Sequence, residues 1–140
     1  MDLVQKYIES NAFGRLLGME FTIVEAGLVE YRICVNETHL ATPMAGHGGL
    51  IAALVDAALG VAGLSAVQAQ NKVVSTIEYK LNFLAPALLH DELKAVGKVE
   101  QQGNRILVIS CDVFCTNRNN RLLAKALGTF NAYDASKAGY

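Results

Sequence analysis

Charge of either sign is scarce in this 140-residue chain: 12 Lys and Arg against 13 Asp and Glu leave a formal charge of −1, and only 18% of residues are charged. Such a balance offers no basic patch for nucleic acid or an anionic membrane, so neither is expected as a partner. Proline occurs twice and glycine 12 times, with no internal repeat, linker or low-complexity tract, which disfavours fibrous and disordered chains. Cysteine is confined to Cys34, Cys111 and Cys115. Cys111 and Cys115 fall in a strand-like run where four residues span about 13 Å, too far for a disulfide or a shared metal. With no secretory apolar stretch opening the sequence, reduced thiols are expected, and with them a cytoplasmic location. The histidines His39, His47 and His90 are scattered, and no Cys-x-x-Cys pair, phosphate-binding glycine loop or dinucleotide fingerprint occurs. No metal and no resident cofactor is therefore expected.

What is abundant is apolar side chain, 52% of the residues, enough for the core of a single domain covering residues 1–140. Leu3, Val4, Tyr7, Ile8, Ala12 and Leu16 recur at helical spacing, which predicts an amphipathic helix over about residues 2–17. The domain core then runs over about residues 18–133. Met19–Glu25 and Leu28–Val35 read as a hairpin turned at Ala26-Gly27, and the segment from Asn36 to Gly46 as an ordered loop.

From Gly48 to about Gln70 the chain is apolar on every face and almost free of charge. Its length would suit a membrane span, but Asp56 in the middle and amphipathic sequence on both sides favour a buried core helix. Four strands follow, Lys72–Leu84, Glu92–Gln101, Arg105–Thr116 and Arg121–Tyr133, separated by turn-prone segments. Connections that short demand antiparallel pairing. The expected architecture is α+β, one antiparallel sheet wrapped around a long central helix. One sheet cannot cover both sides of that helix, so a second subunit is expected.

Two features carry chemistry. Gly48-Gly49 at the helix start would let a ligand approach backbone N–H groups at the positive end of the helix dipole, a place where a carbonyl oxygen can be held as it becomes an oxyanion. A tight turn into the helix would use the same two glycines. Asp56 is an acid in an otherwise unbroken apolar helix. Burying it without a partner costs several kcal/mol, so it serves either as a general base or nucleophile or as a hydrogen-bonded residue in a polar pocket. His47 and Asp56 stand nine residues apart, which along a helix is about 13 Å, so both can act on one atom only if they come from different subunits.

His47-Gly48-Gly49, Asp56 at that spacing, and the strand Val74-Ser75-Thr76-Ile77-Glu78-Tyr79-Lys80-Leu81-Asn82-Phe83-Leu84-Ala85-Pro86 together resemble the hotdog-fold acyl-CoA thioesterases of the phenylacetic-acid-degradation type. The resemblance covers Gly18 to Tyr133. It implies a hotdog fold, an obligate homodimer with two dimers back to back in similar proteins, and hydrolysis of an acyl-CoA to free acid and coenzyme A. Coenzyme A enters only as part of the substrate. Gly48 N–H would polarise the thioester carbonyl, Asp56 of the other subunit would act as base or nucleophile, and His47 would orient the carbonyl or the acid. Thr76 would hold the attacking water, or is an ordinary strand threonine. Coenzyme A would lie along Phe83, Leu84, Ala85 and Pro86 and along the turn of Gln102, Gly103, Asn104 and Arg105, with Arg105 either a phosphate contact or a solvated hairpin residue. Gly49, Met44, Leu50, Leu54 and Phe83 would border the acyl group, the apolar four of them serving equally well as core. Ala41 stands where many relatives carry an asparagine.

Two other readings compete. A non-catalytic acyl-CoA or acyl-carrier binding module would accommodate Ala41. A hydratase or dehydratase would pair a loop histidine, His39, with Asp56. His90 reads as solvated surface.

Overall fold

The computed structural model describes residues 2–140. Asp2 caps helix α1 (Leu3–Ser10) by accepting the Gln5 N–H at 2.8 Å. The single helix predicted over 2–17 is instead two, because Asn11 leaves helical geometry at φ −81°, ψ 66° and starts α2 (Ala12–Leu17). Its side chain accepts the Gly14 N–H, and a Cβ on Gly14 would lie 2.3 Å from the Asn11 amide, so the second cap depends on the glycine.

Strands β1 (Glu20–Glu25) and β2 (Leu28–Cys34) form the expected hairpin. A short 3-10 turn at Glu37–His39 leads to α3 (Gly48–Val67), which stops three residues before the predicted end, where Gln68–Gln70 tighten into a 3-10 turn. The predicted strands follow with ends shifted by a residue or less: β3 (Lys72–Phe83), β4 (Glu92–Gln102), β5 (Ile106–Cys115) and β6 (Arg121–Asp134). All six pair antiparallel in the order β1-β2-β4-β5-β6-β3, so β3 is an edge.

The sheet curls around α3, whose Leu54, Val55, Ala58 and Leu59 are fully buried among Tyr31, Ile109 and Phe130. Contact is close enough that a Cβ on Gly97 of β4 would sit 2.4 Å from the Ala58 carbonyl oxygen, which excludes any larger residue there. In β5, Leu107, Ile109, Cys111 and Val113 face the helix and are buried, on the alternate positions of one face. The three thiols are unpaired, and burial pushes the Cys111 thiol up to about 12.

As expected of one sheet, a single chain leaves one side of the helix uncovered. Helix α3 is not enclosed on all sides: Ala52, Ala53, Asp56, Ala57 and Gly60 form a half-exposed stripe of small residues, continuous with exposed Gly49. These positions share one face by the 3-4-3-4 spacing of a helix. The apolar length that would suit a membrane span is mostly buried inside the fold.

Candidate active site

Helix α3 carries both chemically interesting groups, two turns apart. At its start His47 is the N-cap, and its Nδ1 accepts the Gly49 N–H at 2.7 Å. A Cβ on Gly49 would come within 2.8 Å of that ring nitrogen, so the second glycine exists to let the histidine fold back over the first turn. Accepting through Nδ1 leaves any ring proton of the neutral histidine on Nε2. The Leu50 N–H is taken by the His47 carbonyl. The Gly48 N–H alone of this first turn has no partner among the described residues, and Gly48 is exposed. It is a free donor at the positive end of a 20-residue helix.

Gly48 looks into a cleft of about 310 Å³ walled by Ile51, Phe83, Leu84, Ala85 and Pro86. Phe83 is 57% exposed and Leu84 53%, an apolar rim unusual for a solvated surface, while Met44, expected here, is exposed but does not line the cleft. Of the candidate acyl-wall residues, Leu50 and Leu54 take their alternative place in the core, and Ile51 lines the cleft. The far side of the cleft is fixed by an ion pair between buried Asp91 and half-exposed Arg118, not anticipated from sequence. Arg118 donates to both oxygens of Asp91, Nε at 2.9 Å and Nη2 at 2.6 Å, and Nη2 also donates to the Pro86 carbonyl. Burial alone would raise the Asp91 pKa, but Arg118 and the Leu88 N–H outweigh it and hold the carboxyl below its usual range.

Eight residues further along α3 than Gly48, roughly 12 Å by helical rise, stands Asp56. It is half-buried rather than sealed, and the Thr76 hydroxyl on β3 donates to its Oδ1 at 2.7 Å. Thr76 is thus engaged with the acid itself, while Oδ2 accepts no hydrogen bond among the described residues. The carboxylate faces a separate cavity of about 280 Å³. Tyr7, which lines that cavity, has its pKa raised by burial and by the Asp56 charge, against the lowering contact with Tyr31. Tyr79, donating to the Ala52 carbonyl at 3.3 Å, is raised by burial and by the same charge. Both therefore remain protonated hydroxyl donors around a carboxylate.

Three expected partners lie elsewhere. His47 is committed to its own helix and stands as far from Asp56 in the same chain as its position predicts. His39 is 4% exposed, with Nδ1 accepting the Asn36 N–H and Nε2 bonded to the Leu17 carbonyl, so both ring nitrogens are spent on the loop and neither is available for hydration chemistry. The turn of Gln102 to Arg105 is bound by Lys72, whose Nζ donates to the Asn104 carbonyl. Lys72 begins β3 and Phe83 ends it, about 36 Å away at the strand rise, so one protomer cannot present the turn and the Phe83–Pro86 strand end to one ligand. Among the described residues no three His, Cys, Asp or Glu side chains gather as a metal site.

The thioesterase superfamily profile matches residues 46–120, more than half of the chain and all of the segment from Gly48 to Arg118. The chain belongs to the thioesterase superfamily. A candidate esterase of the archaeon Saccharolobus solfataricus is 30% identical over 132 residues, which cover 93% of this chain and 83% of that relative. Among solved structures, the E. coli PaaI protein from the phenylacetic acid degradation operon superposes with a TM-score of 0.82 at 21% identity, covering 93% of this chain and 90% of PaaI. A Streptococcus mutans protein solved with acetyl-CoA gives 0.75 at 23%, covering 84% and 90%. At these identities the structures establish the hotdog fold of this thioesterase-superfamily chain.

Proposed function

We propose that this protein is an acyl-CoA thioesterase whose site is shared by two copies of the chain related by a two-fold axis. The observation that carries the reading is the separation of two unfinished halves: a free Gly48 N–H in an apolar cleft, and a Thr76-oriented Asp56 at a cavity mouth, on one open helix face. A two-fold axis pairs residue i of one copy with j of the other and j with i. If it passes beside Ala52, antiparallel α3 helices place Gly48 of each against Asp56 of its partner, and the small side chains of the stripe permit a close crossing. The β3 edge supports the same axis. Its midpoint is the irregularity at Ile77, 54% exposed, and antiparallel pairing there would add a partner strand to an unprotected 12-residue edge. That pairing also sets the Arg105 turn of one copy beside the Phe83–Pro86 strand end of the other, which reunites the coenzyme A path.

In this arrangement the acyl-CoA carbonyl accepts from Gly48 N–H while Asp56 takes a proton from water, whose oxygen bonds to the carbonyl carbon; the carbon–sulfur bond then breaks and coenzyme A leaves as a thiol after receiving the proton. Direct attack by Asp56 would pass through an anhydride that water cleaves to the same products. The unpaired thiols suit a cytoplasmic protein. The test is release of free thiol from acyl-CoA esters by the wild type and by Asp56→Asn, with a loss of about 10²-fold or more expected. Binding of acyl-CoA without hydrolysis would favour a carrier module, and activity that survives the substitution would remove Asp56 from the chemistry.

A further inference from the structure

The cavity at Asp56 is a half-open compartment with a floor of its own. It follows α3 from Asp56 over Gly60 to Leu64, two turns or roughly 12 Å, and ends on a satellite apolar cluster of Leu3, Leu64, Val73 and Ala135. That floor is closed by the two ends of the chain. Tyr7 of α1 lines the cavity and its hydroxyl lies 3.5 Å from the buried Tyr31 hydroxyl; Tyr140 lines it from the turn after β6, and its hydroxyl is 2.7 Å from Ser10 Oγ at the end of α1. We propose, resting on the thioesterase reading, that this compartment receives the acyl group and that Tyr7, Tyr140 and Gly60 restrict the substrate to compact acyl chains. A volume of about 280 Å³ holds about nine non-hydrogen atoms at the roughly 30 Å³ that a water-sized group occupies, which is the size of an octanoyl group and far short of a palmitoyl group.

Gly60 supplies a separate argument. Glycine inside a helix costs about 1 kcal/mol relative to alanine, and packing within one chain does not demand it, because a Cβ would meet only the Phe130 ring, at an ordinary 3.7 Å. The space that glycine leaves empty is cavity. Lining by Val61, Leu64 and Val74 makes it suited to hydrocarbon, and the Tyr7 and Tyr140 rings form its end.

The test is kcat/KM for acetyl-, octanoyl- and palmitoyl-CoA. In the wild type octanoyl-CoA is expected to exceed palmitoyl-CoA by about tenfold or more, the discrimination that even one methylene commands in a hydrophobic pocket. Tyr7→Ala opens the floor and should raise the palmitoyl-to-octanoyl ratio by about tenfold; Gly60→Ala narrows the channel and should lower the octanoyl-to-acetyl ratio by a similar factor. Gly60→Ala keeps the test decisive if Tyr7→Ala fails to fold, since alanine favours the helix. Equal use of palmitoyl-CoA by the wild type, or ratios unmoved by Gly60→Ala, would overturn the proposal. If no ester is cleaved at any length, the thioesterase reading has failed on its own, and the size limit is then read from thermal stabilisation. Octanoyl-CoA should stabilise the protein more than palmitoyl-CoA does, and the reverse order would overturn it.

Discussion

Gly48→Pro replaces the free N–H of the proposed oxyanion site with a ring carbon and leaves the helix start intact. Gly48 is the first residue of α3, where proline is favoured because its missing N–H has no helical partner in any case. Its backbone does not need glycine, since it is not among the positive-φ positions, and His47 before it holds φ −64°, ψ 139°, the extended geometry a residue preceding proline prefers. A Cβ at this position meets the Phe83 ring at 3.6 Å, an ordinary contact. Stability should accordingly be unchanged or raised by about 0.4–1 kcal/mol through the stiffer unfolded chain. Loss of one preorganised donor to an oxyanion is worth about 3 kcal/mol, so kcat for acyl-CoA hydrolysis should fall by about 10²–10³-fold, and KM should rise because the ring carbon stands where the carbonyl oxygen is held. Gly48→Ala, which keeps the N–H, should lose far less.

Mixing then asks which subunit supplies which group. Co-expressed with Asp56→Asn and purified as a random assembly, Gly48→Pro should recover about a quarter of wild-type activity, because half of the dimers are mixed and each mixed dimer rebuilds one of its two sites. A Gly48→Pro protein with kcat within about tenfold of wild type would show that this amide stabilises no transition state. A strong loss without recovery on mixing would place Gly48 and Asp56 in the same protomer's site and refute the two-fold arrangement.

Two further predictions concern the scaffold. Gly97→Ala drives a methyl into the Ala58 peptide of α3, backbone that cannot step aside, and should cost about 3 kcal/mol, read as a lower denaturation midpoint with an unchanged slope. The Asp91 carboxyl is held below its ordinary 3.8 when folded, so its contribution is complete above that value and lost as the pH falls through the lower folded one. Asp91→Asn should therefore cost about 2 kcal/mol at neutral pH by removing the charge-assisted bonds to Arg118, and should flatten the acid limb of the stability profile; a parallel acid limb would show that other carboxylates govern it.

The elements were legible in the sequence because each rests on local signals. Alternation in Ile106–Cys115 and turn residues at both ends mark β5 with ends right to a residue, and the apolar run from Gly48 marks α3. Periodicity predicts one continuous N-terminal helix because apolar spacing runs straight through Asn11, while the break is made by a side chain folding onto Gly14, a contact that periodicity does not encode. The site divides in the same way. Asp56 and Gly48 announce themselves by being out of place, an acid in an apolar helix and a glycine pair at its start. Leu50 and Ile51 are adjacent and equally apolar, and only the helix rotation relative to the sheet decides that Ile51 faces the cleft. Tyr7 and Tyr140 are 133 positions apart in the chain and meet only because α1 and the last turn pack on one satellite cluster. A wall assembled from both ends of a chain leaves no spacing to read. The residues that set what this protein accepts are thus the ones a sequence conceals best, whereas those proposed to cleave the thioester lie within nine positions of one another, on a single helix whose own geometry keeps them apart.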